Sequence, residues 1–248
     1  AYTGQKDGQD FYNHEPLFKA VEALFAQIKK EGEWNEEKAV IKVRELLDEH
    51  IGEVPEYIEV NEQKMTPIEY RDYLKIVPSD YVNFMSLMEA PYYQKALYNV
   101  PDNWWKSNDY NNIPLDDFLQ LIKESITEGY SISIGGDVSE PGFDKISQTA
   151  TIPSFDIKSA DIDENARQFR FTNGSTTDDN AMHLVGYYEA KDGKTWFLIK
   201  DSGSGSRNAG ESSDKFGHYF MHEDYVKLKM MTITVHKDIT KKYLDKIK

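Results

Sequence analysis

The chain has 248 residues, no cysteine and a formal net charge of −14, from 29 Lys+Arg against 43 Asp+Glu. This acidic balance argues against binding to nucleic acid or to an anionic membrane surface, because both require concentrated positive charge. Without cysteine, the chain can form no disulfide, thiolate metal site or cysteine nucleophile of its own. The 39% of hydrophobic residues are enough for a folded core of one large or two small domains.

Four segments of residues 1–128 show the apolar spacing of amphipathic helices. The first two are predicted to end at Gly32 and Gly52, since glycine favours the left-handed conformation that terminates helices. The third begins with Thr66, which is followed by proline and then by glutamate at the spacing of a capping box. The fourth, "PLDDFLQLIKESITEG", ends at Gly129. This part of the chain is therefore predicted to be mainly helical.

Residues 90–114, "APYYQKALYNVPDNWWKSNDYNNIP", are rich in tyrosine, tryptophan and asparagine. The composition favours a long surface loop that is held by its aromatic side chains. A platform for a sugar or a peptide is the alternative.

From residue 130 the pattern changes to short strands with turns between them. The predicted strands are "YSISIGG", "AMHLVGYYEA", "KTWFLIKDSG", "GHYFMHEDYV" and "MMTITVHK". Residues 139–179 are predicted to be a long irregular connection, and loops of this length are usually functional or mobile.

The histidines do not have the spacing of a zinc site. There is no His-Glu-x-x-His sequence, and the one pair four residues apart lies in a predicted strand, which would not place both rings on one helical face. We therefore expect no zinc site. The six histidines are His14, His50, His183, His218, His222 and His236.

Two adjacent segments, "NAMHLVGY" from Asn180 and "WFLIKDSG" from Trp196, have the order and spacing of a strand pair in papain-like cysteine peptidases. Upstream, "MTPIEYRDYL", "DYVNFMSLMEAP" and "GYSISIGGDVSEPGF" resemble the bleomycin hydrolase and aminopeptidase C branch of that family. The resemblance extends over about residues 15–238.

The resemblance implies an α+β chain with the papain-like cysteine proteinase fold, present as its β-rich half with helical insertions. Residues 1–128 would form a mainly helical insertion or support region. Residues 129–238 would form the half-domain that carries the positions equivalent to the catalytic histidine and asparagine. Residues 239–248 would be a C-terminal tail, predicted to be solvated; in this branch such a tail can instead lie in the cleft.

The resemblance also implies the positions of the site. The catalytic histidine position, six residues before Gly186, is occupied by Asn180, and the position of the orienting asparagine is occupied by Asp201. In a strand, Asn180 and Met182 share one face while His183 points to the other. His183 is therefore predicted to be structural, although it stays the alternative catalytic base.

In this family the nucleophile is a thiolate, which a neighbouring imidazolium stabilises before it protonates the leaving amine. Aspartate can orient an imidazole, but an asparagine amide neither takes nor gives a proton near neutral pH. We expect the nucleophilic cysteine and the oxyanion-hole glutamine to lie outside this chain. The chain alone is thus predicted to be inactive, as an engineered variant or a natural pseudoenzyme.

The partners implied are a peptide substrate, trimmed from its amino end, and a cysteine-bearing segment or second chain. A homo-oligomer is a further implication of the resemblance, which implies no metal and no organic cofactor. Nucleic acid and membrane are not expected as partners. The alternative is a non-catalytic protein that uses the cleft to bind peptides.

Overall fold

The computed structural model describes residues 13–32, 34–203 and 216–248. The chain forms two compact units, Ala1–Val77 and Pro78–Lys248. In these described ranges, no helix is long and apolar enough to cross a membrane.

The first unit contains the three helices that the sequence predicts. Gly32 ends the first helix with a φ of 71°, and the Asn35 side chain accepts a hydrogen bond from the Lys38 amide at 2.9 Å. Thr66 and Glu69 form both halves of a capping box. The elements are α1 Glu15–Glu31, α2 Glu36–Ile51, β1 Ile58–Val60, β2 Gln63–Met65 and α3 Pro67–Tyr73.

The second unit is built on a ten-stranded mixed sheet. Its strands are β3 Tyr81–Met85, β4 Gln94–Ala96, β5 Tyr110–Asn112, β6 Ile132–Gly136, β7 Phe143–Asp144, β8 Thr149–Ala150, β9 Asn180–Glu189, β10 Thr195–Lys200, β11 His218–His222 and β12 Met230–His236. They lie in the order β4-β5-β3-β12-β6-β9-β10-β11-β8-β7. The pairs β3–β5 and β8–β11 are parallel, and the other pairs are antiparallel.

One face of the central strands is covered by α4 and forms the main core. Phe118 and Ile122 of α4 are fully buried in one cluster with Ile134, Leu184 and Ile199 of the sheet. The helices of this unit are α4 Leu115–Thr127, α5 Glu164–Thr172, α6 Glu223–Lys229 and α7 Lys241–Leu244. The predicted helix over "PLDDFLQLIKESITEG" is confirmed as α4.

Several elements differ from the sequence prediction. Strands β3, β4 and β5 lie inside residues 81–112, where a helix-dominated region with a surface loop was expected, because these short strands gain their burial only from pairing within the sheet. The connection 139–179 contains α5. The end of "GHYFMHEDYV" is helical, since His222 caps α6 by accepting a hydrogen bond from the Asp224 amide.

The chain divides into its two compact units after Val77, whereas the sequence analysis placed a division near residue 128, which lies inside the second unit. The assignment of 1–128 as an insertion region stays a prediction. The C-terminal residues 239–248 are not a solvated tail. Tyr243 is 1% exposed and donates a hydrogen bond to Glu124 at 2.9 Å, so the tail is anchored on α4.

A buried arginine joins α5 to the rest of the second unit. Arg167 is 1% exposed and donates to the backbone carbonyl of Ser86 at 2.8 Å and to that of Lys227 at 2.5 Å. It also donates to the Met230 carbonyl. Burial lowers its pKa to about 10, so the guanidinium stays charged at neutral pH. Its donors satisfy carbonyls where α6 ends and β12 begins.

We predict that Gly136→Ala destabilises the fold, because a methyl group there would lie 2.7 Å from Met230 Cα and closer still to the Lys229 carbonyl oxygen. Overpacking of this kind typically costs about 1–3 kcal/mol. Gly186→Ala is the matched control, since its methyl would meet Leu198 Cβ at an ordinary 3.5 Å. Urea unfolding of both variants measures the difference; equal midpoints would contradict the close packing at Gly136.

Candidate active site

The candidate site lies at one end of β9, where the strand is held from both sides. Asn180 pairs with Gly136 of β6, and on the other side Leu184 pairs with Ile199 of β10. This pairing brings the first residue of β9 beside Asp201, the residue that directly follows β10.

The structure brings Asn180 and Asp201 together. The Asn180 amide nitrogen donates a hydrogen bond to Asp201 Oδ2 at 3.3 Å. The carboxylate is fixed in turn, because its Oδ1 accepts a hydrogen bond from the Gly203 amide at 3.0 Å. The Asp201 backbone amide donates to the Gly217 carbonyl at 2.8 Å. This pair has the geometry of an orienting acceptor and its donor, but the donor is an amide that cannot transfer a proton.

The structure does not place His183 in this pair. Met182 and Leu184 are buried in the core, whereas His183 is exposed on the opposite face of β9. Its Nε2 is hydrogen bonded to the Ser131 hydroxyl at 2.7 Å. Partial burial, together with the nearby Lys200 charge, lowers the pKa of His183.

Two carboxylates that the sequence analysis did not assign hold the segment before Asn180. Asp179 accepts hydrogen bonds from the Val138 amide at 3.0 Å and from the Ser139 hydroxyl. Asp137 accepts from the Thr177 amide at 2.8 Å and from the Ser139 amide at 3.0 Å. These bonds tie the loop after β6 to the start of β9. The sequence signal that could have indicated these carboxylates is a pair of aspartates directly before β9 and one aspartate directly after the glycines of β6.

A cavity of about 190 Å³ opens beside Asn180 on the face of the sheet opposite α4. Small side chains of β6, β9 and β12 form its floor, and the 98–110 segment and Asp178 form its walls. Burial raises the pKa of Asp178 to about 6, with Asp102, Asp179 and Asp137 contributing in the same direction. The floor consists of Ser133, Gly135, Ala181, Thr232 and Thr234, and the 98–110 segment contributes Tyr98, Val100, Asp102, Asn103, Trp105 and Tyr110.

No residue of the C-terminal tail is among those that line this cavity, so the described tail does not occupy it. Across the described ranges, no three or more histidine, aspartate or glutamate side chains are grouped so that they could hold a metal ion. The chemistry that the arrangement offers is therefore hydrogen bonding at Asn180 and Asp201, and negative charge at Asp178.

A comparison with curated proteins gives no significant match. Among solved structures, the chain is similar to PepW from Lactobacillus rhamnosis HN001 (DR20), at 16% sequence identity and a TM-score of 0.60. The match covers 94% of this chain and 57% of that one, so the chain spans little more than half of that protein. This likeness confirms the predicted papain-like α+β fold.

Residues 56–248 match the Peptidase C1-like family. The match covers most of the chain and includes β6, β9 and β10, which carry the candidate site. The chain belongs to the Peptidase C1-like family, as the papain-like sequence pattern predicted.

Proposed function

We propose that this chain supplies the acid–base side of a cysteine-type peptidase site that hydrolyses peptides. Asn180 occupies the position of the catalytic histidine, and Asp201 occupies the position of the group that orients it. The observation that carries this proposal is the 3.3 Å hydrogen bond between the two side chains, in a chain of the Peptidase C1-like family.

The proposed site lacks two functional groups. The sequence has no cysteine, so the nucleophile must come from a segment or chain other than this one. At position 180 an amide replaces the imidazole, and an amide cannot stabilise a thiolate by becoming positively charged. The chain is therefore inactive as it stands. Asp201, in contrast, is an anion that could orient and stabilise an imidazolium.

The proposed partners follow from this division of the site. One is the cysteine-bearing segment, which would bring the thiolate next to the Asn180–Asp201 pair. The other is a peptide, and the resemblance to the bleomycin hydrolase and aminopeptidase C branch favours trimming from its amino end. A homo-oligomer, as the same resemblance implies, would present several such sites together.

The second proposal is a non-catalytic peptide-binding protein. Asn180 favours it, because the amide keeps a hydrogen bond to Asp201 without the proton chemistry. The cavity beside Asn180 favours it too, since a cavity of this size can hold one group of a peptide without any nucleophile. The two proposals differ in one respect: whether restoring the missing groups restores hydrolysis.

We predict that the purified chain hydrolyses no peptide substrate through a thiol. Aminopeptidase and endopeptidase substrates, incubated with it under reducing conditions, should show no turnover above that of buffer. Turnover that a thiol-alkylating reagent abolishes would contradict the prediction, because the chain has no thiol to alkylate.

We further predict that Asn180→His restores hydrolysis when the chain is combined with the cysteine-bearing segment. General acid–base catalysis is typically worth about a hundred- to ten-thousand-fold in rate, and the imidazole would also promote formation of the thiolate. Turnover under matched conditions, with and without the substitution, measures the gain.

His183→Ala is the control for register, because His183 lies on the opposite face of β9 from the Asn180–Asp201 pair. It should leave the restored rate unchanged. If hydrolysis instead requires His183 and does not respond to residue 180, the base has been assigned to the wrong residue. If no combination hydrolyses peptides, the non-catalytic binding protein is the better description.

A further inference from the structure

The cavity beside Asn180 is lined by carboxyl groups and aromatic rings that have no part in proton transfer at position 180. Its volume of about 190 Å³ is below the roughly 300–1,000 Å³ of pockets for whole small-molecule ligands. It therefore suits one side chain or one terminal group of a longer molecule. Two carboxyl groups, Asp178 and Asp102, and three aromatic rings, Tyr98, Trp105 and Tyr110, line it.

The aromatic residues form a corner rather than a flat apolar wall. The rings of Tyr98 and Tyr110 have centroids 5.4 Å apart and planes inclined at 51°. Trp105 is 59% exposed, so most of its side chain remains open to solvent at the edge of the cavity. Aromatic faces carry partial negative charge and attract ammonium and guanidinium groups. Rings next to carboxylates therefore favour a cation over a neutral apolar group.

The charge on Asp178 is poorly compensated by its surroundings. Burial is the largest cause of its raised pKa, a contact with the Tyr98 hydroxyl acts in the opposite direction, and the charged groups that follow, Asp102, Asp179 and Asp137, all raise it. Arg167 acts on the neighbouring Tyr98 from the core side, but its donors are committed to backbone carbonyls. A cation in the cavity would supply the missing counter-charge.

The hydroxyl oxygen of Tyr98 is a second polar group that a ligand in the cavity could reach. Tyr98 is 2% exposed, and its hydroxyl oxygen has no hydrogen-bond partner among the residues that the structure describes. Burial raises the pKa of Tyr98, and Asp178 raises it further through its charge and through a contact with the Tyr98 hydroxyl that falls outside ordinary hydrogen-bond geometry. Buried polar groups are nearly always paired. A cationic N–H group in the cavity could donate to this oxygen as well as to the carboxylate.

We propose that this cavity is a cation subsite, in which Asp178, Asp102 and the rings of Tyr98, Trp105 and Tyr110 bind a positively charged nitrogen of a peptide. The inference rests on the proposed function for the identity of the ligand as a peptide, and it names the class of peptide. Asp178 is the specificity-determining residue. The nitrogen belongs to a basic side chain or to the terminal α-amine of the peptide.

Three small probes distinguish these sources by direct binding to the protein, followed by NMR or calorimetry at about pH 7.5. Nα-acetyl-lysine methylamide carries only the side-chain cation, and norleucine methylamide carries only the α-ammonium. Nα-acetyl-norleucine methylamide is neutral and similar in shape. We expect one cationic probe to bind at least about tenfold more tightly than the neutral one, because charge-assisted hydrogen bonds are the strong ones. The cationic probe that binds more tightly identifies the source, and equal affinity for all three overturns the proposal.

Asp178→Asn should abolish the preference for the cationic probe, whereas Asp161→Asn should leave it unchanged. Asp161 is an exposed aspartate of the same unit and does not line the cavity. Loss of fold would not explain the result. The raised pKa of Asp178 means that its ionised form is disfavoured in the folded state, so removing the charge should preserve or increase the melting temperature at pH 7.5. Preserved cation preference in Asp178→Asn would overturn the proposal.

Two further measurements separate a counter-charge from a merely structural residue. Since the pKa of Asp178 is about 6, affinity for the cationic probe should rise between about pH 5 and pH 7 as this carboxyl ionises. That rise should disappear in Asp178→Asn. Tyr98→Phe should weaken binding of the cationic probe several-fold, because it removes a buried oxygen that could accept a hydrogen bond from the cation. A flat pH profile in the unmodified protein would refute the assignment of Asp178.

These binding measurements require neither a nucleophile nor proton transfer at position 180. A failure of Asn180→His to restore hydrolysis would therefore leave the cation preference standing, as expected for a peptide-binding protein. Restored hydrolysis without cation preference would leave the peptidase assignment intact and remove only the subsite.

Discussion

The register of β9 is the constraint on which the candidate site depends. Leu184 pairs with Ile199, but Gly186 pairs with Leu198, so β9 has one extra residue at this point. A bulge of this kind reverses which face the following residues occupy. It lets Leu184 lie in the core while Gly186 faces Leu198 on the other side of the sheet. From Leu184 back to Asn180 the alternation is regular, and the strand therefore begins beside Asp201.

The carboxylates at this end of the sheet differ in how their charge is compensated. Asp137 and Asp179 accept two or more hydrogen bonds each and serve to join two loops. Asp201 receives hydrogen bonds from Asn180 and Gly203. Burial raises the pKa of Asp178, and the like charges of Asp102, Asp179 and Asp137 raise it further. Negative charge near a thiol raises the pKa of that thiol. A thiolate at this end of the sheet would therefore depend strongly on a neighbouring imidazolium, and the proposed peptidase would need a histidine at position 180.

Sequence periodicity and helix caps were sufficient to predict α1 to α4 and the strands β6, β9, β10 and β12. They failed where burial depends on partners distant in the chain. Asn112 is fully buried, and its side chain bonds the amide and carbonyl of Leu87 and the carbonyl of Ala90, at 2.8–3.0 Å. A sequence rich in asparagine is typical of a loop, yet here the amide satisfies backbone groups at a sheet edge. The burial of Arg167 was missed for a similar reason, because a charged side chain normally indicates a surface position.

The site itself was predictable only in part, because only some of its contacts join residues that are close in sequence. The proximity of Asn180 and Asp201 follows from strand alternation and from the order of two neighbouring strands, both of which are local in sequence. The cavity wall is not local, since Tyr98 and Trp105 belong to a segment more than seventy residues before Asn180. Binding and proton transfer therefore rest on different parts of the chain. Substituting an amide at position 180 removes the proton transfer and leaves the wall, its carboxylates and the hydrogen bond to Asp201 in place. On the proposed function, a protein altered in this way would keep the carboxylates that select a peptide and would lack the proton transfer that cleavage requires.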